Sequence, residues 1–243
     1  MLQVCLNGPR TAADSGAVPL SPAALAEAAR QAVAAGAQDV HVHPKTPCGQ
    51  DSLSPRVVGP ALTAIREAVD VPVGVTTGAW AEADPERRAE LIASWTVLPD
   101  HASVNWHEPG ADAVAAVLLE RGVGVEAGIW SGTAAAARFA ASPLAPRVLR
   151  VLAEVLDDTD PRSAPETARA LLAELARIPH GRPVLLHGQD GGAWPVLRLA
   201  GELGLASRIG IEDALTLPDG APAAGNAQLI TAALTLTGTP PGP

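Results

Sequence analysis

Two histidines stand one residue apart in the stretch AGAQDVHVHPKTPCG, residues 35–49. On a β-strand, residues i and i+2 face the same side, so His41 and His43 would present both imidazoles from one face of a strand end. Glu212, in the later stretch RIGIED, offers a third ligand. Two imidazoles and one carboxylate form a zinc site with an open fourth position, which is the catalytic arrangement. The same ligand set also suits non-haem iron.

Structural explanations compete with the metal site. A hydrogen-bonded pair would account for His41 and His43, and an Arg208–Glu212 ion pair would account for RIGIED about as well as ligation does. His187 is interpreted as a hydrogen-bonded histidine at the end of a strand. The default expectation for five further charged or titratable side chains is exposure to solvent: Arg10, Lys45, His101, His107 and His180.

Short β-branched runs alternate with longer Ala- and Leu-rich stretches along the chain, which predicts alternating strands and helices. Strands are predicted over residues 3–7, 39–43, 71–77, 101–106, 124–130, 147–156, 183–188 and 207–213. Helix starts, with a capping residue followed by proline, are predicted at Ser21, Ser54, Asp84 and Asp160.

Eight strand–helix units in 243 residues predict an α/β fold, a single-domain (β/α)₈ TIM barrel. The barrel is expected over residues 1–236, followed by a flexible C-terminal tail at 237–243. An open doubly wound sheet is the alternative, but no glycine-rich phosphate-binding motif follows the first strand.

Composition narrows the classes of partner. A net charge of −9 argues against nucleic acid or an anionic membrane as the main partner. Two cysteines give no disulfide framework, which fits a reducing compartment. The N-terminal stretch lacks the pattern of a signal peptide, and no apolar run reaches the length of a transmembrane span. We therefore expect a cytoplasmic protein.

Polar residues recur where the predicted strands end, which is where (β/α)₈ barrels carry their active sites. In a closed barrel the eighth strand lies beside the first, and the first beside the second, so Glu212 is expected to reach the two histidines. A charged side chain inside a barrel is costly unless it is paired or binds metal. The strand-end residues are Asn7, His41, His43, Thr76, Thr77, Ser103, Asn105, Glu126, Glu154, His187, Glu212 and Asp213.

Over nearly its whole length the chain resembles the β-keto acid cleavage enzymes, which include the 3-keto-5-aminohexanoate cleavage enzyme. The resemblance is carried by the ordered stretches LNGPR, AGAQDVHVHPKT, VTTGAW, SVNW, GVEAG, RIGIEDAL and GNAQLI. It implies a homo-oligomeric barrel with one zinc ion per chain. It also implies conversion of a β-keto acid and acetyl-CoA into a new acyl-CoA and acetoacetate.

The resemblance also assigns roles by position. It implies zinc ligation by His41, His43 and Glu212, acid–base catalysis by Asp213, and stabilisation of developing negative charge by Arg208. A catalytic hydroxyl is implied at Thr76. Substrate contacts are implied at Ser103, Asn105 and Glu126.

Arg10 is a departure from the family pattern. Many members have a glutamate in this segment, where it handles the amino group of the substrate. A substrate-binding Arg10 would argue against an amino-substituted substrate and suit a neutral or anionic tail.

Two other functions remain open from the sequence. One is a metal-dependent barrel hydrolase, which would need further histidine ligands on later strands, where only His187 is available. The other is a non-catalytic barrel that binds a CoA ester or an acid.

Overall fold

The computed structural model describes residues 1–238. Its eight parallel strands are β1 (Leu2–Cys5), β2 (Asp39–Val42), β3 (Val73–Thr76), β4 (His101–Asn105), β5 (Gly124–Trp130), β6 (Arg150–Val155), β7 (Val184–Gly188) and β8 (Ser207–Ile209). They form one sheet in the order β7-β6-β5-β4-β3-β2-β1-β8. A parallel bridge between Leu185 and Ala206 joins β7 to the segment before β8, which closes the barrel. The predicted (β/α)₈ barrel is confirmed, and the open sheet is excluded.

The helices that cover this barrel begin largely as the sequence predicts. Ser21 accepts a hydrogen bond from the backbone of Ala24, and Asp84 caps its helix in the same way. The prediction at Asp160 is wrong, because that carboxylate closes a turn with Arg162 and the helix begins at Ala164. The helices are α1 (Pro22–Ala34), α2 (Pro55–Ala68), α3 (Pro85–Ala93), α4 (Ala111–Glu120), α5 (Ala135–Ala141), α6 (Ala164–Leu175), α7 (Ala193–Glu202) and α8 (Asn226–Thr237).

The last strand is shorter than predicted, and this matters for the site. β8 ends at Ile209, and the backbone N–H groups of Asp213 and Ala214 both donate to the carbonyl of Gly210 at 2.9 Å. This turn removes the strict alternation of a strand. Glu212 and Asp213 can therefore both lie at the mouth of the barrel, although a continuous strand would place them on opposite faces.

The C-terminal part of the chain is described as far as residue 238. Helix α8 includes Thr237, and the remainder of the predicted tail, residues 239–243, lies outside the described residues. Within residues 1–238, none of the helices has both the length and the apolar character needed to cross a lipid bilayer.

The lower part of the barrel interior is charged, whereas such barrels usually carry layers of branched aliphatic side chains there. Arg150 donates to Glu126 at 2.6 Å and to Asp39 at 2.8 Å. The His101 ring lies between the same two carboxylates, 2.9 Å from Asp39 and 3.1 Å from Glu126. A side chain at Gly74 would come within 2.0 Å of this ring, so glycine leaves the room for it. The expectation of a solvated His101 is therefore wrong.

Stability is expected to fall with rising pH because of His101. Burial alone would lower its pKa, but Glu126 and Asp39 raise the pKa of His101 to about 10, against 6.5 for an unperturbed histidine. The imidazolium therefore stabilises the fold fully below pH 6.5, and this contribution is lost as the pH rises towards 10. The measurement is the free energy of unfolding in urea, with a chelator present, for the wild type and His101→Gln. The difference should narrow with rising pH, and a constant difference would contradict a charged His101.

Candidate metal centre and active site

His41 and His43 meet Glu212 at the mouth of the barrel, as predicted. Glu212 Oε2 lies 3.8 Å from His41 Nε2 and 3.7 Å from His43 Nε2. One ligand atom from each of the three residues lies within 4.8 Å of the others, and all three residues are buried. Glu212 Oε2 has no hydrogen-bond partner among the described residues. Two imidazole nitrogens and an unpaired carboxylate oxygen that converge in this way fit a divalent metal ion.

Gly8, in the stretch LNGPR, lets the first βα loop approach Glu212. Its φ is +55°, and a side chain there would come within 2.3 Å of Glu212 Cγ. Glycine is thus required both by the left-handed backbone and by the space that Glu212 occupies. This loop therefore helps to place the carboxylate opposite the two histidines.

The outer nitrogen of His43 is held by Asp51. His43 Nδ1 lies 2.9 Å from Asp51 Oδ2, which also accepts a hydrogen bond from Trp80 Nε1 at 2.9 Å. The Trp80 indole stacks on the His43 ring, with centroids 5.7 Å apart. Lys45 donates to the same carboxylate at 2.5 Å and is buried, so the expectation of a solvated Lys45 is wrong. A carboxylate on Nδ1 leaves Nε2 free to bind metal.

The ring nitrogen of His41 that does not face Glu212, Nδ1, faces Glu126 beneath the site. Burial lowers the pKa of His41 to about 3, which keeps the imidazole neutral, the form that binds metal. If Nε2 binds metal, Nδ1 carries the proton, and Glu126 Oε2 lies 4.0 Å away. His41 Nδ1 has no hydrogen-bond partner among the described residues, whereas Glu126 Oε2 also lies 3.1 Å from His101 Nδ1. Glu126 is thus placed to orient His41, while its other oxygen is held by Arg150.

Replacing Glu126 with glutamine is therefore expected to weaken metal binding. Loss of such an outer carboxylate typically costs 10- to 100-fold in metal affinity, so we expect a drop of roughly that size. The measurement is zinc affinity by competition with a chromophoric chelator. Asp51→Asn should give a comparable loss through His43, and the exposed Glu120→Gln on α4 serves as the neutral control. Wild-type affinity in Glu126→Gln, with the fold intact, would show that His41 is oriented by other contacts.

Arg208 and Asp213 form a second buried group beside the metal ligands. One Arg208 nitrogen donates to Glu212 Oε1 at 2.6 Å and to Asp213 Oδ1 at 2.7 Å. Burial raises the pKa of Asp213, and Arg208 opposes that rise. Burial also works against ionisation of Glu212, but Arg208 and the two histidines hold the pKa of Glu212 below its usual value. The two neighbouring carboxyls are thus pushed in opposite directions, as acid–base pairs in active sites commonly are.

His187 connects Asp213 to the cavity through Glu154. Its Nδ1 lies 3.6 Å from Asp213 Oδ1, and its Nε2 lies 3.1 Å from Glu154 Oε2. This agrees with the interpretation of His187 as a hydrogen-bonded histidine at a strand end. His187 and Glu154 both lie near the ends of predicted strands, but nothing in their sequence spacing indicates that they contact each other or Asp213. That contact depends on the pairing of β6 with β7.

A cavity of about 290 Å³ opens above these groups. Of the predicted site residues, it is lined by His41, His43, Thr76, Ser103, Asn105, Arg208 and Glu212. Asp213 lies behind its wall, and Glu126 lies beneath it. Arg10 is engaged elsewhere, because it donates to Asp190 at 2.5 Å and to the backbone oxygen of Glu212 at 3.3 Å. The remaining lining residues are Pro9, Trp80, Trp130, Leu152, Glu154, Leu156 and Gln189.

Solved structures with the same fold share little sequence with this chain. A ternary complex of ObcA with a C4-CoA adduct and oxalate superposes with a TM-score of 0.72 at 16% identity, covering 89% of this chain and 63% of that one. A binary complex of ObcA with oxaloacetate superposes with a TM-score of 0.69 at 15% identity, with the same coverage of both chains. The carboxyl transferase domain of Rhizobium etli pyruvate carboxylase superposes with a TM-score of 0.63 at 14% identity, covering 99% of this chain and 44% of that one. The chain thus spans less than two thirds of these proteins. No curated protein matches it.

Membership of a family rests on the sequence itself. The family model of the β-keto acid cleavage enzymes matches residues 1–239. The match covers the barrel and all the residues that meet at its mouth, including both histidines and Glu212. The chain therefore belongs to the β-keto acid cleavage enzyme family.

Proposed function

We propose that this enzyme is a zinc-dependent acyltransferase that condenses a β-keto acid with acetyl-CoA, giving a new acyl-CoA and acetoacetate. The observation that carries the proposal is the convergence of His41, His43 and Glu212 at the floor of a cavity that also contains Arg208. Family membership supplies the substrate class. The CoA adduct and the oxaloacetate bound by the ObcA structures are consistent with it.

The donor set favours zinc bound by the two histidines and Glu212. When bound, the ion would act as a Lewis acid on the oxygen atoms of the keto acid. Trp80 and Pro9 line the rim of the cavity, and Trp80 covers one face of His43. Such cover limits the access of water to the ligands.

Arg208 would stabilise the negative charge that develops in the reaction. Its guanidinium is buried and fixed by Glu212 and Asp213, so the positive charge is already oriented before substrate arrives. Preorganised charge of this kind stabilises an anionic transition state more strongly than mobile groups in water do. Thr76, Ser103 and Asn105 line one wall and would orient the substrate through hydrogen bonds.

Asp213 would hold the proton that the reaction moves. Its raised pKa makes it a better base and a more available acid than an ordinary aspartate near neutral pH. His187 and Glu154 link Asp213 to the cavity and could return that proton between turnovers. Asp213 therefore acts from behind the wall, while Arg208 faces the cavity.

The test is turnover of a panel of β-keto acids by the zinc-loaded enzyme, with acyl-CoA and acetoacetate followed by mass spectrometry. We expect both products when acetyl-CoA is present and neither when it is omitted. Hydrolysis without CoA would instead establish the metal-dependent hydrolase. Tight binding of acetyl-CoA without turnover would establish the non-catalytic barrel. The homo-oligomer and the cytoplasmic location stay predictions.

A further inference from the structure

The wall of the cavity that lies farthest from the histidines is largely apolar. In the order of the sheet, β6 is four strands away from β2, which is the opposite side of an eight-stranded barrel. Trp130, at the end of β5, lines the cavity on this side, together with Leu152 and Leu156. A substrate whose keto acid end lies at His41 and His43 would therefore direct its tail against these side chains.

This wall offers no positive charge to a tail carboxylate. Within residues 1–238, Arg208 is the one arginine or lysine that lines the cavity, and it lies on β8 with its guanidinium held by Glu212 and Asp213. Arg10 is turned to Asp190 and to a backbone oxygen. A carboxylate buried against apolar side chains without a partner is strongly disfavoured.

Among the described residues that line this wall, Glu154 is the one charged group, and one of its carboxylate oxygens is bonded to His187. Leu152 and Glu154 share one face of β6, Leu156 follows directly after the end of that strand, and all three line the cavity. Glu154 Oε2 bonds to His187, and its Oε1 is buried and has no hydrogen-bond partner among the described residues. The carboxylate repels a tail carboxylate. A tail ammonium would lose its water against the leucines, while Glu154 Oε2 is committed to His187 and Oε1 is buried.

From these contacts we infer that the enzyme selects β-keto acids with an uncharged aliphatic tail, which lies against Trp130, Leu152 and Leu156. The inference rests on the proposed function, because it assumes that the keto acid end lies at the metal ligands. It replaces the role that the sequence suggested for Arg10 in selecting a substrate. We assign the discrimination of substrates by charge instead to the apolar wall formed by Trp130, Leu152 and Leu156.

The first test compares three substrates of equal chain length in the zinc-loaded enzyme with acetyl-CoA. These are 3-oxohexanoate, its dicarboxylate analogue 3-oxohexanedioate, and the cationic 5-amino-3-oxohexanoate. We expect kcat/KM for the neutral substrate to exceed that for either charged one by about tenfold or more. A preference for the dicarboxylate or for the amino compound would overturn the inference.

A charge placed in the wall should change this preference. Leu156→Arg puts a cation beside the tail, so the ratio of kcat/KM for the dicarboxylate over 3-oxohexanoate should rise by about tenfold. Leu149→Arg is the matched control, because Leu149 is exposed just before the start of β6, at the opposite end of that strand from Leu156. If Leu156→Arg does not fold, Glu154→Gln tests the same wall, and it should reduce the discrimination against the dicarboxylate. An unchanged ratio in the folded variant would overturn the inference.

Failure of the proposed function would look different. In that case none of the three substrates would yield acyl-CoA, although zinc is bound. The wall can still be tested then by calorimetric titration with hexanoate and adipate, where tighter binding of hexanoate would support the apolar subsite. Equal or tighter binding of adipate would count against it.

Discussion

The double variant His41→Ala/His43→Ala is expected to lose both its metal and its activity. The wild type should be purified with near-stoichiometric zinc, because three ligand atoms already converge within 4.8 Å in a buried site. The variant keeps a single ligand, Glu212, whose other oxygen is committed to Arg208. One carboxylate oxygen does not hold zinc against solvent. Elemental analysis of both proteins, after equal exposure to zinc, measures the change.

Turnover should fall together with the metal content. Lewis acid stabilisation is worth several kcal/mol, so its loss corresponds to roughly a thousandfold or more in rate. His180→Ala is the control, since it also removes an imidazole but leaves the three ligands and the cavity lining intact. Zinc bound equally by both variants would disprove the ligand assignment. In that case the two histidines would be a structural pair.

The spacing of the histidines in the sequence predicts the ligands because the facing of side chains on a strand follows a local rule. Strand alternation, continued one residue beyond the end of β2 at Val42, places His41 and His43 on one face whatever the rest of the chain does. Closure of an eight-stranded barrel then brings the residues that follow β8 next to β1 and β2. Both steps hold in the structure, where β1 pairs with β2 and β8. The fold and the convergence of the three candidate ligands could therefore be predicted from the sequence pattern and the barrel topology.

The contacts behind the ligands were not accessible in this way. Asp51 reaches His43 from the irregular loop after β2, and its position depends on Trp80 and Lys45. The sequence predicts a solvated His101, but Gly74 on the neighbouring strand opens the space that buries it. Such contacts depend on loop conformation and on the stagger between strands. No periodicity within one segment encodes either of them.

The two histidines are held by different surroundings, which gives the site an asymmetry. The carboxylate of Asp51 touches His43 at the rim, within reach of Trp80 and the cavity. The carboxylate of Glu126 lies under His41 in a network whose charges are balanced by His101 and Arg150. Changes in the rim therefore alter solvent access and one ligand together. Changes in the interior network alter the other ligand and the stability of the barrel.

Asp213→Asn is expected to abolish most of the turnover while leaving the metal in place. Asparagine can still accept the hydrogen bond from Arg208, so the guanidinium and Glu212 should keep their positions. It cannot take up a proton, and loss of a general acid–base group typically costs about 10²- to 10⁴-fold in rate. Zinc content and kcat are measured on the same preparation. Asp219→Asn is the control, since Asp219 is exposed in the connection between β8 and α8.

The pH profile separates this role from a structural one. Burial raises the pKa of Asp213 above the ordinary 3.8, so the wild type should lose activity on the acid side at a higher pH than a solvated aspartate would cause. In Asp213→Asn the residual activity should lack that acid limb. An unchanged limb in the variant would assign the proton to another group, and Glu154, which lines the cavity and contacts His187, is then the candidate to replace next. Loss of zinc in Asp213→Asn would instead show that Asp213 acts by holding the ligands, through Arg208.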